Sequence, residues 1–269
     1  MFKDKVVWIT GASSGIGEAF ADAFHAQGAH VILSALSQEE LEPVTSRLDG
    51  AVSLAFDVAD FEALPALADQ AMGHFGRIDI LVNNAGITQR ALAKDTSFEV
   101  YRRVIDVDLM APIALTQLVL PHMRARGSGR ILVMGSVAGK FGSALRTAYC
   151  AAKHGVFGYF DALRAEVVHD GIEVHVIAPG AVRTNLARNA LTGGGDRFGR
   201  TDDFIEGGYD PAYLVSEVFK AIAKGRREII IARGKERLGY RLRRFFPETA
   251  FDVIAKATPV AIEKLRRLN

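Results

Sequence analysis

Tyr149 and Lys153 stand four residues apart in Ala148-Tyr149-Cys150-Ala151-Ala152-Lys153, and Ser136 precedes the tyrosine by thirteen positions. On a helix, side chains at i and i+4 share a face, so this spacing turns a phenol and an ammonium toward one space. A phenol ionises near pH ~10 and exchanges protons poorly at neutral pH. A cation ~4 Å away, at an effective dielectric of about 20, favours the phenolate by roughly 4 kcal/mol. That is about 3 pKa units before desolvation and motion reduce it, enough for acid/base work near neutrality.

In isolation the pair means little, because both residue types are common on solvated helix faces. Its setting carries the weight. Arg130-Ile131-Leu132-Val133-Met134-Gly135 reads as a buried strand, and Ser136 falls where that strand gives way to a loop. Ligand groups belong at that edge of a parallel sheet. Strands are expected at 6–9, 30–33, 51–56, 78–82, 131–134, 173–177 and 228–231. Helices are expected at 15–27, 38–48, 61–75, 98–126 (interrupted near Pro112), 148–170 and 212–224. The alternation predicts an α/β fold: a doubly wound (Rossmann) parallel sheet of about seven strands, with helices on both faces. One dinucleotide-binding and catalytic domain, residues 1–231, is expected, then a helical basic extension, 232–269. Residues 183–208, rich in Gly and charge, depart from the pattern, and connections that long are usually functional or mobile.

Thr10-Gly11-Ala12-Ser13-Ser14-Gly15-Ile16-Gly17 lies between the first expected strand and helix. Glycine allows the tight turn and the close approach of a phosphate, while the helix N-terminus offers free N–H groups and a positive dipole. In that position the loop points to a bound dinucleotide. Its spacing is G-x-x-x-G-x-G. Together with Asn83-Asn84-Ala85-Gly86, Ser136, Tyr149, Lys153 and Pro179-Gly180, it makes the chain resemble the short-chain dehydrogenase/reductase family over residues 5–231.

The resemblance implies an NAD(P)-dependent oxidoreductase interconverting a secondary alcohol and a ketone or aldehyde. It implies a pyrophosphate loop of Gly11, Ser13, Ser14, Gly15, Ile16 and Gly17, with Asp57 and Val58 at the adenine. Asn83 would brace the fourth strand, Ala85 and Gly86 would meet the cofactor ribose, and Pro179, Gly180, Val182 and Thr184 would hold the carboxamide. Tyr149 would be the acid/base, and Lys153 its electrostatic partner and a ligand of the nicotinamide ribose. Ser136 would position the substrate oxygen. For Asp57, a turn-capping carboxylate is an equal alternative. The family's fourth catalytic residue is Asn, and the matching position here is Asp108. Asp keeps the acceptor geometry, loses the amide donor, and offsets part of the field of Lys153. A tolerated substitution with little effect is the alternative.

At the end of the second strand, Ser34-Ala35-Leu36-Ser37-Gln38 contains neither the carboxylate of an NAD site nor the Arg of an NADP site. Two serines and a glutamine are potential donors to a 2′-phosphate, so this reading leans to NADP. Val137, Phe141, Leu145 and Leu186 suggest an apolar pocket for a lipophilic carbonyl compound or alcohol, with core packing the rival explanation. Residues 138–140, 146–154 and 184–199 look like a branch of the family with membrane-associated members acting on lipophilic ketones or alcohols. The helices around 109–123 and 149–168 pair across subunits in relatives, which implies a homodimer or homotetramer.

Composition narrows the remainder. With 269 residues, 49% hydrophobic and 24% charged, the chain is long enough for a full α/β core. Cys150 is the only cysteine, which excludes an internal disulfide and a cysteine-rich metal site, and no metal is expected. The first strand follows Met1-Phe2-Lys3-Asp4-Lys5 directly, and no uninterrupted apolar run reaches the ~18 residues of a membrane span, so a cytoplasmic protein is expected. Residues 232–269 hold ten Lys/Arg against four Asp/Glu, a net +6 in a chain of net +2. There Arg237, Arg241, Arg243 and Arg244 stand beside Leu238, Leu242, Phe245 and Phe246. Packing on the domain or a neighbouring subunit is the expected role, peripheral contact with an anionic membrane the alternative, and nucleic-acid binding is not expected. A catalytically silent dinucleotide-binding regulator is the competing function, supported only by Asp108. A sugar-nucleotide epimerase or dehydratase shares Tyr-x-x-x-Lys but carries a different glycine spacing and a longer substrate domain.

Overall fold

β1 (Val6–Thr10) and β2 (His30–Ser34) are runs of apolar and β-branched residues buried on both sides, as a parallel strand covered by helices must be. The computed structural model describes residues 1–201 and 203–268, and in it five further strands continue this sheet. They are β3 (Val52–Ser53), β4 (Ile80–Asn83), β5 (Gly129–Met134), β6 (Ile172–Pro179) and β7 (Glu228–Ile231). All neighbours are parallel, in the order β3-β2-β1-β4-β5-β6-β7. The order reverses between β1 and β4, which opens a crevice at the carboxyl edge there.

The helices are α1 (Gly15–His25), α2 (Gln38–Thr45), α3 (Leu64–Phe75), α4 (Phe98–Ile105), α5 (Ala111–Arg126) and α6 (Thr147–Val167). After them come α7 (Asp203–Glu206), α8 (Pro211–Ala223), α9 (Gly234–Phe245) and α10 (Pro247–Leu268). Alternate residues of β1 enter different cores: Val6 and Trp8 face the layer of α3, α5 and α6, whereas Val7 and Ile9 face that of α1 and α8.

Local causes shape three features that the sequence reading left open. β3 is shorter than the expected strand 51–56, yet Leu54 N and Phe56 N still donate to Leu33 O and Ala35 O at 2.8 Å, so the edge continues as spaced bonds. The interruption near Pro112 is a π-helical turn, Asp106–Met110, joining α4 to α5. Proline lacks the N–H that an unbroken helix would use there. Residues 183–208 are tied to the loop after β4, with Leu191 N donating to Thr88 O and Arg90 N to Leu191 O, both at 2.8 Å. The continuous run Phe98–Arg126 is long and apolar enough to cross a membrane by length and composition alone. Here much of it is core, with Leu115, Val119 and Met123 buried.

Candidate active site

Thr10 ends β1, and its hydroxyl accepts from the backbone N–H groups of Asn84 and Ala85, each at 3.1 Å. Asn84 Nδ2 donates in return to Thr10 O at 3.0 Å and Gly11 O at 3.1 Å. The glycine loop is thereby fixed to the end of β4 before α1 begins. Gly11 (φ +63°) and Gly15 (φ +61°) adopt left-handed backbone, and a Cβ on Gly11 would stand 2.8 Å from Ala85 Cα. Ser14, at the N-cap of α1, makes no side-chain capping bond, so first-turn N–H groups remain for a ligand. A glycine-walled cradle at an uncapped helix N-terminus fits a dinucleotide pyrophosphate.

A cavity of about 1290 Å³ runs from this cradle along the carboxyl edge of the sheet. It exceeds the roughly 300–1,000 Å³ of a drug-sized pocket, leaving room for a dinucleotide and a second molecule. Gly11, Ser13, Ser14, Gly15 and Ile16 line it, as do Asp57, Val58, Ala85, Gly86, Pro179, Gly180, Val182 and Thr184. Asn83 and Gly17 lie behind this wall, Asn83 as the brace expected of it. Asn83 is buried, with Nδ2 donating to Thr116 Oγ1 on α5 at 3.1 Å, a brace with no cavity surface. Gly17 packs under the loop, where a Cβ would meet Gly11 O and stand 2.6 Å from Asn84 Nδ2.

Asp57, expected at the adenine, does two jobs. Its Oδ1 accepts from Ala59 N at 3.0 Å, the turn-capping alternative, and its Oδ2 pairs with Arg103 at 2.8 Å. None of the three residues counted as donors to a 2′-phosphate lines the cavity. Ser34 is fully buried and accepts from Trp8 Nε1 at 2.9 Å, Ser37 caps α2 through Glu40 N, and Gln38 Nε2 donates to Ser53 at 2.6 Å. Glu40, in contrast, lines the cavity.

Ser136 leaves β5, and its Oγ accepts from Ala138 N at 3.1 Å. Tyr149 and Lys153 share the inner face of α6, with Nζ 5.6 Å from the centroid of the Tyr149 ring. Lys153 is almost wholly buried, donates to Met134 O at 2.9 Å, and stands 3.1 Å from Asp108 Oδ2. The latter contact is an ion pair without hydrogen-bond angles, since Oδ2 has no hydrogen-bond partner. Asp108 Oδ1 accepts from Ile87 N at 2.7 Å, and the π-helical turn presents the carboxylate to both groups. Burial pushes the Asp108 carboxyl above its ordinary range, against the pull of Lys153. For Lys153, burial is the largest influence and opposes the charge, but Asp108 and Tyr149 outweigh it and hold the ammonium above the ordinary lysine range. Ser136, Tyr149, Lys153 and Asp108 all reach one cavity wall.

Val137, Phe141, Leu145 and Leu186 also line the cavity. Leu145 holds left-handed backbone (φ +69°), at a cost of roughly 1–2 kcal/mol for a residue with a side chain. Four participants had no role in the sequence reading. Gln89 accepts from Tyr149 N at 3.1 Å through Oε1 and so seats the first turn of α6. Asn84 and Arg103 act through the contacts above, and Glu236 reaches in from α9. Asn84 stood within a recognised motif, but nothing in the sequence singled out the others, whose partners lie 46 or more residues away or across the fold.

A family profile described as short chain dehydrogenase matches residues 5–193. Dehydrogenase/reductase SDR family member 7B of Danio rerio is 37% identical over 263 residues, covering 94% of this chain and 85% of that protein. A short-chain dehydrogenase from Streptomyces avermitilis superposes with TM-score 0.79 at 32% identity, covering 98% of both chains. A short chain dehydrogenase/reductase from Burkholderia phymatum, in complex with NAD, gives TM-score 0.82 at 24% identity over 92% of this chain and 95% of its own.

Proposed function

This chain belongs to the short-chain dehydrogenase/reductase family, and from that premise we propose that it interconverts a secondary alcohol and a ketone or aldehyde on a lipophilic molecule, with Tyr149 as the acid/base. The observation that carries the reading is the shared face of α6, where the buried ammonium of Lys153 lies 5.6 Å from the Tyr149 ring centroid beside Ser136. When bound, the dinucleotide supplies or accepts the hydride. The chain's own residues handle the oxygen. In reduction the Tyr149 hydroxyl gives its proton to the carbonyl oxygen, and in oxidation it takes the proton back. Lys153 keeps positive charge beside the phenol, and Met134 O and Asp108 hold it in place. Because Ser136 Oγ already accepts from Ala138 N, its own proton is free to donate to the substrate oxygen.

For the cofactor, the absence of Ser34, Ser37 and Gln38 from the cavity lining and the presence of Glu40 in it favour the 2′-hydroxyl of NAD over the phosphate of NADP, against the lean drawn from sequence. For partners, we propose a homodimer or homotetramer joined through α5 and α6, and an anionic membrane surface met by the outer stripe of α9. The function is tested by fluorescence titration with NADH and NADPH, then a panel of carbonyl compounds and alcohols with the native protein and Tyr149→Phe. Tighter binding of NADH and a loss of at least a thousandfold in kcat/KM are expected. Equal turnover by native protein and variant would end the reading.

A further inference from the structure

The C-terminal extension lies outside the matched family profile, yet it supplies part of the cavity wall. Ile254, Ala257, Thr258 and Ala261 form one face of α10 and line the cavity from above. On α9, Gly239 sits against the Phe141 ring, where a Cβ would be 3.4 Å from the nearest ring carbon. One turn earlier, Glu236 points into the same space. Its carboxylate fills the volume that a side chain at position 180 would need, with Cδ 2.6 Å from an ideal Cβ on Gly180. Arg146, at the N-cap of α6, lines the same cavity.

We propose that α9 and α10 are part of the substrate site, and that Glu236 is its specificity-determining residue: it balances Arg146 and confines the site to uncharged lipophilic molecules. The inference rests on the function proposed above and narrows its substrate class. The charges around the cavity lead to it. Lys153 is paired with Asp108, Arg103 with Asp57, and Arg197 donates to Asn189 Oδ1 at 2.5 Å. Glu236 and Arg146 line the same cavity. Burial pushes the Glu236 carboxyl upward, while the Ala181 N–H, Arg146 and Arg233 favour its charged form. A ligand ending in a carboxylate would bring a second anion into the cavity that Glu236 lines. A ligand with an uncharged tail would meet Phe141, Leu145 and the α10 face.

The test measures binding directly, so it stands apart from turnover. A fluorescent long-chain fatty acid and the matching fluorescent alcohol are titrated by anisotropy into the full chain with saturating nicotinamide cofactor. The native protein is expected to bind the alcohol at least tenfold more tightly. Glu236→Gln keeps the shape and removes the charge, and is expected to erase at least tenfold of that preference through tighter binding of the acid alone. Adding Arg146→Met to Glu236→Gln is expected to abolish the gain. An unchanged preference in Glu236→Gln, or an equal loss of both ligands, would overturn the proposal. If these ratios shift as expected while the native protein turns over no carbonyl compound, the reaction is misread and the binding inference stands.

Discussion

At the scale of single residues, Asp108 is the departure with the clearest consequence. An ammonium and a carboxylate buried together exist as a pair between the raised value of the acid and that of the base. The Lys153 contribution to stability is fully present below the ordinary lysine value of 10.5 and is lost as pH rises through its raised value in the fold. At the acid end, Asp108 takes up its proton above the ordinary 3.8, which relieves the cost of burying its charge, so this group's contribution to stability rises as pH falls. Asp108→Asn keeps the acceptor for Ile87 N but leaves Lys153 without an anion. We expect it to cost about 1–3 kcal/mol at neutral pH, less than the 3–5 typical of a broken buried pair because that one bond survives. Thermal unfolding across pH should show the gap narrowing as pH rises through the raised Lys153 value, and not on the acid side, where protonation of Asp108 favours the native fold. The rate profile of the variant should move to lower pH, because the field of Lys153 on the phenol is no longer offset; overlapping profiles would mean the carboxylate has no catalytic role. Ser136, Tyr149 and Lys153 were legible in the sequence because a single helix turn and a strand end determine their positions. The engagement of Ser34 was not, since its partner Trp8 lies on the neighbouring strand, in register with Ile32 two residues earlier.

Elements were read well where one periodicity ran without competition, and poorly where tertiary contact decides. All seven strands and the interruption near Pro112 were foreseen, but the length of β3 depends on its edge position, and proline alone does not specify that the interruption takes a π-helical form. The glycines show the same division. Gly17 and Gly73 both lie inside helices, and helical pattern alone does not distinguish them, although the glycine motif marks Gly17. A methyl group at Gly17 would strike Gly11 O and Asn84, whereas one at Gly73 meets nothing within 4 Å. Gly17→Ala should therefore destabilise the protein by about 1–3 kcal/mol and weaken dinucleotide binding by displacing the loop. Gly73→Ala should stabilise it by about 0.5–1 kcal/mol with binding unchanged. Denaturant unfolding with and without NADH checks both, and equal effects from the two substitutions would count against the packing given for the loop.

Over the whole molecule, the basic extension has two sides with different work. One side closes the cavity. The other leaves Arg237, Leu238, Arg241, Arg244 and Phe245 along one exposed stripe of α9, with Phe246 at its end. Leu238, Phe245 and Phe246 are 63%, 70% and 63% exposed, and Arg243 stacked on Phe251 fixes the corner between α9 and α10. The sequence held the charge and the apolar residues but not their division between faces, which depends on where α9 meets Phe141 and Gly180. Arginines interleaved with leucine and phenylalanine match an anionic bilayer surface, with the apolar tips entering and the guanidinium groups staying at the headgroups. Each such arginine near an anionic surface contributes ~1 kcal/mol, so three should give roughly 3 kcal/mol, about a hundredfold preference for phosphatidylserine-containing over purely phosphatidylcholine vesicles. Co-sedimentation should show that preference at low ionic strength and lose most of it at 1 M salt, where screening reaches ~3 Å. The triple variant Arg237→Gln, Arg241→Gln, Arg244→Gln should lose the preference, and Phe245→Ser with Phe246→Ser should weaken binding to both vesicles. If the native protein ignores both vesicles while the phenylalanine variant falls from dimer to monomer by light scattering, the stripe joins two copies of the chain and the membrane assignment is wrong.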